Sequence, residues 1–275
     1  MPTRHQAFLE QDREMEVFTE MVNLVRKEPD YFAVSQDKRY IMMAFDICDK
    51  YSGQPVMREI VTLYANQEKN ALEIQDMDLV LTDSPVCELT ELHRLDKSTE
   101  FWEAYTAAVN ERHLELETVN RQVIPDHELT EPVQAAVSVF PFQYMIFPDA
   151  EALSDYFGYV TMGDTIPELA GHKVGIGTDF TAGSFLVKKD PDDDESFSVI
   201  SAVIEDYAKT TLVIGSKECD AYVLGCTIAN IKGMKVILPA DKETEEKLKN
   251  GTCIYMHADV KADLAVGQYD YCKKA

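Results

Sequence analysis

Apolar side chains at Phe8, Met15, Phe18, Met21, Val22 and Val25 recur at steps of three, four and seven, the stripe of an amphipathic helix that Pro29 ends. The rhythm then changes. Between Tyr31 and Thr82, short apolar segments at 31–35, 39–47, 56–65, 71–74 and 79–82 are divided by charged or Gly/Pro-bearing breaks at 36–38, 49–55 and 66–70. This predicts an antiparallel meander, although 57–68 also fits a helix. Ser84-Pro85 supplies an N-cap and a proline suited to a first helical turn, with Val86, Leu89 and Leu92 behind it. A further helix is predicted over 98–119, with Trp102, Tyr105, Val109 and Leu116 in register. His113 shares that stripe one turn from Glu117, and reads as a packed helix residue rather than a ligand.

The polar, proline-bounded stretch 124–132 is the best candidate for a boundary. Beyond it the pattern alternates, and its last six segments (197–208, 211–215, 218–231, 235–238, 242–249, 253–257) read as helix, strand, helix, strand, helix, strand. Such a run builds parallel strands joined by helical crossovers. The expected fold is therefore an α+β N-terminal portion over 1–124, made of helices and an antiparallel meander. An α/β C-terminal portion with a partly parallel sheet follows over 133–275, with one continuous domain as the alternative to two.

Charge changes the functional picture most. The chain has 49 acidic against 26 basic residues, a net charge of −23, so it repels polyphosphate backbones and anionic membranes. Basic residues occur only in isolated pairs such as Arg26-Lys27, Lys188-Lys189 and Lys273-Lys274, which predicts neither nucleic-acid nor membrane binding. Basic proteins and cations remain open as partners. The start, Met1 to His5, is followed by no apolar signal region, and no stretch approaches 18 consecutive apolar residues, so a soluble cytoplasmic protein is expected. Cys48, Cys87, Cys219, Cys226, Cys253 and Cys272 are scattered without a CxxC pair, and read as buried thiols rather than disulfides or zinc ligands.

Four places could carry chemistry. The loop Gly175-Ile176-Gly177 to Gly183-Ser184 resembles a phosphate-binding turn through Gly175, Gly177 and Gly183. However, Phe180 stands where a dinucleotide fingerprint needs glycine, and no lysine precedes Ser184 as a P-loop requires. Asp190, Asp192 and Asp194 could hold a divalent cation through oxygen ligands, although Glu195 and Ser201 break the EF-hand pattern; no cofactor is otherwise predicted. Cys219 is predicted at a helix N-terminus, where amide dipoles lower a thiol pKa. His257 and Asp259 follow a predicted strand, and together with Asp179 they complete the set of candidate catalytic residues.

One resemblance concerns that cysteine. The spacing from Gly215 to Gly233, flanked by Leu212-Val213-Ile214 and Val236-Ile237-Leu238, resembles the strand–helix–strand that carries the nucleophile in isochorismatase-like cysteine hydrolases. The likeness covers about 45 residues; its cysteine position falls on Ala221, two residues after Cys219, and Asp46 with Lys188 or Lys189 would stand for the family's Asp and Lys. The leading reading is an acidic protein that acts by binding, as an interaction partner or assembly subunit. The alternative is an enzyme or a small-ligand or nucleotide-binding protein, hydrolase-like and with a Cys-dependent mechanism among its forms, with its site at strand ends in the C-terminal portion.

Overall fold

A computed structural model describes residues 14–157 apart from 96–97, 99–102, 111, 126–128 and 130–131, together with 159–161, 173–175, 184–185 and 198–264. Helix α1 (Glu14–Leu24) leads into four strands, β1 (Tyr31–Val34), β2 (Tyr40–Asp49), β3 (Pro55–Asn66) and β4 (Ala71–Leu81). Strands β5 (Val86–Arg94), β6 (Glu103–Val109) and β7 (Arg112–Thr118) follow, then a 3₁₀ turn (Arg121–Val123) and the long β8 (Val133–Phe147). After α2 (Ala150–Phe157) come the short β9 (Tyr159–Thr161), β10 (Lys173–Gly175) and β11 (Ser184–Phe185). The chain continues through β12 (Ser198–Ile214), β13 (Lys217–Ile228), β14 (Ile231–Pro239), α3 (Lys242–Lys247) and β15 (Cys253–Leu264).

The molecule is mostly β, with thirteen strands hydrogen-bonded into one sheet, which overturns the expected α+β and α/β portions. The segment read as a helix over 98–119 contains the β6–β7 hairpin, turning at Asn110 in the left-handed region (φ 47°). The helices read over 197–208 and 218–231 belong to β12 and β13, and the one read after Ser84 is β5. Among the described residues, parallel pairing is confined to β14 with β8 and β15 with β7. The antiparallel run read between Tyr31 and Thr82 is β1–β4.

The sheet closes on itself twice. Strands β12, β13, β14, β8 and β15 form one ring, and β8, β5, β6, β7 and β15 a second, so the β8–β15 ribbon is a wall of both. Alternate residues of each strand face one continuous apolar interior. Ile204, Leu224, Val236 and Met256 fill it on one side, and Leu89, Leu114, Leu116 and Val260 on the other. Strands from both sides of segment 124–132 are interleaved, since β5 pairs with β8 and β2 with β12.

The β1–β4 sheet lies outside these rings, with α1 packed on one face and the segment after β7 on the other. On one face Leu24 of α1 packs with Phe45, Val61 and Leu63, and Met21 with Ile47, Met57 and Leu79. Helix α1 is tied to the β12–β13 turn, where the Ser216 amide and hydroxyl donate to Glu20 at 3.0 and 2.8 Å, and Lys217 pairs with Glu16. Gly215 sits there at φ +61°, where any Cβ would collide with the Glu20 side chain. On the other face Met42, Ala44, Ile60 and Val80 meet Val119 and Val123, which follow β7. Among the described residues, no helix is long and apolar enough to cross a membrane.

Candidate functional site

The seam between the β1–β4 sheet and the second ring holds most of the buried charge. Along β15, residues 259, 261 and 263 alternate with the apolar interior set, so their side chains leave the ring and face β4 and β7. Lys261 is 1% exposed, yet its Nζ lies 2.7 Å from Asp78 Oδ1 of β4 and donates to Glu117 Oε2 of β7, its register neighbour. Burial opposes the lysine's charge, but the carboxylates of Asp78, Glu117, Asp259 and Asp76 outweigh it and hold its pKa well above the ordinary value. Asp76 moves the other way for a carboxyl. Burial first, then the charge of Asp78, raise its pKa well above normal, and its side chain hydrogen-bonds Asp78. A permanently charged, buried lysine is no nucleophile; this cluster fastens one sheet to another.

Outward along the same seam, beyond Tyr40 and Val123, lies a cleft of about 510 Å³ between the β1–β2 turn and the 3₁₀ turn. Its charges are internally balanced. Arg121 donates from Nη1 to the Ile124 carbonyl at 2.6 Å, and its Nε lies 3.2 Å from Glu103, which also accepts from the Tyr105 hydroxyl at 2.5 Å. Opposite, Arg39 donates to Asp37 at 2.6 Å, and the Ser35 hydroxyl does the same. These donors, Ser35 first and Arg39 next, lower the Asp37 pKa to about 2.

A third charge stands apart from both. Glu59 of β3 is completely buried between Met57 and Val61 on the face α1 covers, opposite Phe45 and Leu79, and neither of its oxygens has a hydrogen-bond partner. Burial alone raises its pKa to about 8, so it is a neutral acid at pH 7.

The residues singled out from the sequence are dispersed. Cys219 is buried within β13 beside Leu212 and Ile237, not at a helix start, so its premise as an activated thiol is lost. The strand–helix–strand likened to the cysteine hydrolases is instead the antiparallel β12–β13–β14 meander. His257 lies mid-strand in β15 against Tyr255 and Phe142, its pKa lowered by burial, while Asp259 on the same strand joins the Lys261 cluster. His113 pairs with Glu91 at 2.9 Å, and Glu117, one alternation set along, contacts Lys261. Gly175 ends β10. Gly177, Gly183, Asp179, Asp190, Asp192 and Asp194 lie outside the described residues. Cys48, Cys87, Cys219, Cys226 and Cys253 are free thiols, and burial raises the pKa of Cys226 furthest from solution values.

Sequence reasoning missed Glu59, Asp78 and Lys261. The available signal was a charged residue at an alternating position inside an apolar strand, as in Met57-Arg58-Glu59-Ile60 and Asp259-Val260-Lys261-Ala262. No protein-family model, curated protein or solved structure matches this chain.

Proposed function

We propose that this protein works by binding, as an acidic module that engages a basic partner or an assembly presenting one. The disposition of charge carries this reading. Several cations among the described residues are matched within the molecule, Lys50 with Glu218, Arg58 with Asp46, Lys217 with Glu16, Lys247 with Glu243 and Lys261 with Asp78 and Glu117. The chain carries a net charge of −23, and acids such as Glu68, Glu88 and Glu151 are exposed, which makes for a negative surface. Such a surface attracts cationic partners over a Debye length and repels anionic ones.

Fluorescence anisotropy of labelled Lys-rich and Glu-rich peptides of equal length, titrated with the protein at about 50 and 300 mM salt, tests the reading. The Lys-rich peptides are expected to bind, and to weaken steeply as salt rises. Equal binding of both peptides, or affinity indifferent to salt, would overturn it.

A further inference from the structure

The outer edge of β4 is closed along one half and open along the other. Thr82 donates its amide to Val56 at 3.0 Å, which fixes the even residues 76, 78 and 80 as those bonded to β3 and turns the main chain of 77, 79 and 81 outward. Two of these outward amides are met by side chains. Met77 N–H donates to Asp76 at 2.9 Å and Leu81 N–H to Ser138 at 2.8 Å. Beyond the bulge at Gln75 the alternation shifts by one. Ala65 N–H is bonded to Arg39 on the β2 side, so Tyr64 and Asn66 face β4 and pair with Glu73 and Ala71. Leu72 and Ile74 therefore turn both N–H and C=O away from the sheet. No strand among the described residues lies against that edge.

Their side chains are open as well. Leu72 is 56% and Ile74 44% exposed, although Ile74 sits beside Leu63, which α1 buries. An edge strand usually carries a charge, bulge or cap along its length. Beyond Gln75 the stretch 71–74 carries one charge, Glu73, and no cap among the described residues meets Leu72 or Ile74.

We infer that the 71–74 edge of β4 receives an extended basic segment of a partner protein as an added strand, its apolar side chains continuing the Leu63–Ile74 row. The inference rests on the basic-partner reading above and assigns it a surface. Charge selects the occupant. Glu68 precedes the window and Glu73 lies within it, with Lys69 beside them paired to Glu73, whereas a second copy would bring another −23 against only four open main-chain groups. Charge also selects the edge. Phe32 and Val34 of β1 likewise face outward, but Arg26-Lys27 and Lys38-Arg39 bracket that strand.

The test uses an octapeptide of alternating Lys and Val, a copy N-methylated on alternate amides, and residue-resolved amide exchange of the full chain. The unmodified peptide is expected to slow exchange at Leu72 and Ile74 by about tenfold and leave Phe32 and Val34 unchanged; the N-methylated copy is expected to bind about tenfold more weakly. Ile74→Pro, which deletes one outward N–H without changing charge, is expected to weaken binding by a similar factor at an unaltered melting temperature. Should that variant not fold, the exchange pattern of the unsubstituted protein decides. Basic peptides that bind without protecting Leu72 and Ile74 would overturn the edge assignment and leave the basic-partner reading standing. If no basic peptide binds, both fall.

Discussion

The two closed rings and the β1–β4 sheet handle the same physical problem in opposite ways. Within the rings every strand has a hydrogen-bonded neighbour on each side, the interior is apolar, and polar side chains alternate outward. The β1–β4 sheet has free edges at both ends, a buried charge cluster on one face and a lone buried carboxyl on the other. Closure makes a scaffold; an open edge and a buried carboxyl without a hydrogen-bond partner are the features expected of a less stable region.

Separating the two regions is the sharpest way to break this comparison. Lys261→Met would leave Asp78 and Glu117 facing each other without their cation, and is expected to cost about 3–5 kcal/mol. Amide exchange should show β2–β4 losing protection before β8 and β15, whereas equal loss throughout would mean the sheet is no separate unit. Leu224→Ala, inside the ring, is expected to cost about 2–5 kcal/mol, and to lower protection in β13 and β14 first.

Glu59 sharpens the contrast through pH. Its pKa is about 8 folded against 4.5 in the ordinary state, so between these values the folded protein holds more protons than the unfolded chain. Stability attributable to this group therefore falls as pH rises from about 4.5 to 8, and levels off above. Glu59→Gln should remove that slope and stabilise the protein at pH 8 by an amount on the order of a few kcal/mol, read from urea unfolding at several pH values. An unchanged slope would mean the carboxyl is ionised and partnered in solution.

At the surface the expected effects shrink. Asp241→Ala removes the cap that accepts from the Thr244 amide at 2.6 Å, and should cost about 1 kcal/mol in thermal unfolding. Lys247→Ala removes an exposed pair with Glu243 and should change stability by less than about 0.5 kcal/mol. A larger loss from Lys247 than from Asp241 would contradict the ranking.

What could be read from sequence follows the same division. The breaks around β1–β4 are chemically marked, and Lys38, Gly53 and Asn70 indeed adopt positive φ, so that meander was legible. Strand β12 was not, because Ser198–Ala202 is buried on both faces and shows no alternation, and an apolar run of that kind also fits a helix. In β6, Ala104, Ala107 and Ala108 favour a helix locally, and pairing with β5 and β7 overrides them. Ring closure joins β7 to β15 across more than 140 residues, which no local period reports. The seam escaped notice for the same reason, since Asp78, Glu117 and Lys261 come from three distant strands. The acidic balance, by contrast, needed only counting.

Native-state amide exchange of the free protein tests the division between scaffold and receiving edge most directly. The outward amides of Leu72 and Ile74 are expected to exchange at nearly unprotected rates, while inner amides of β8 and β15 exchange only through global unfolding. Protection at Leu72 and Ile74 as high as that of β15 would contradict the account.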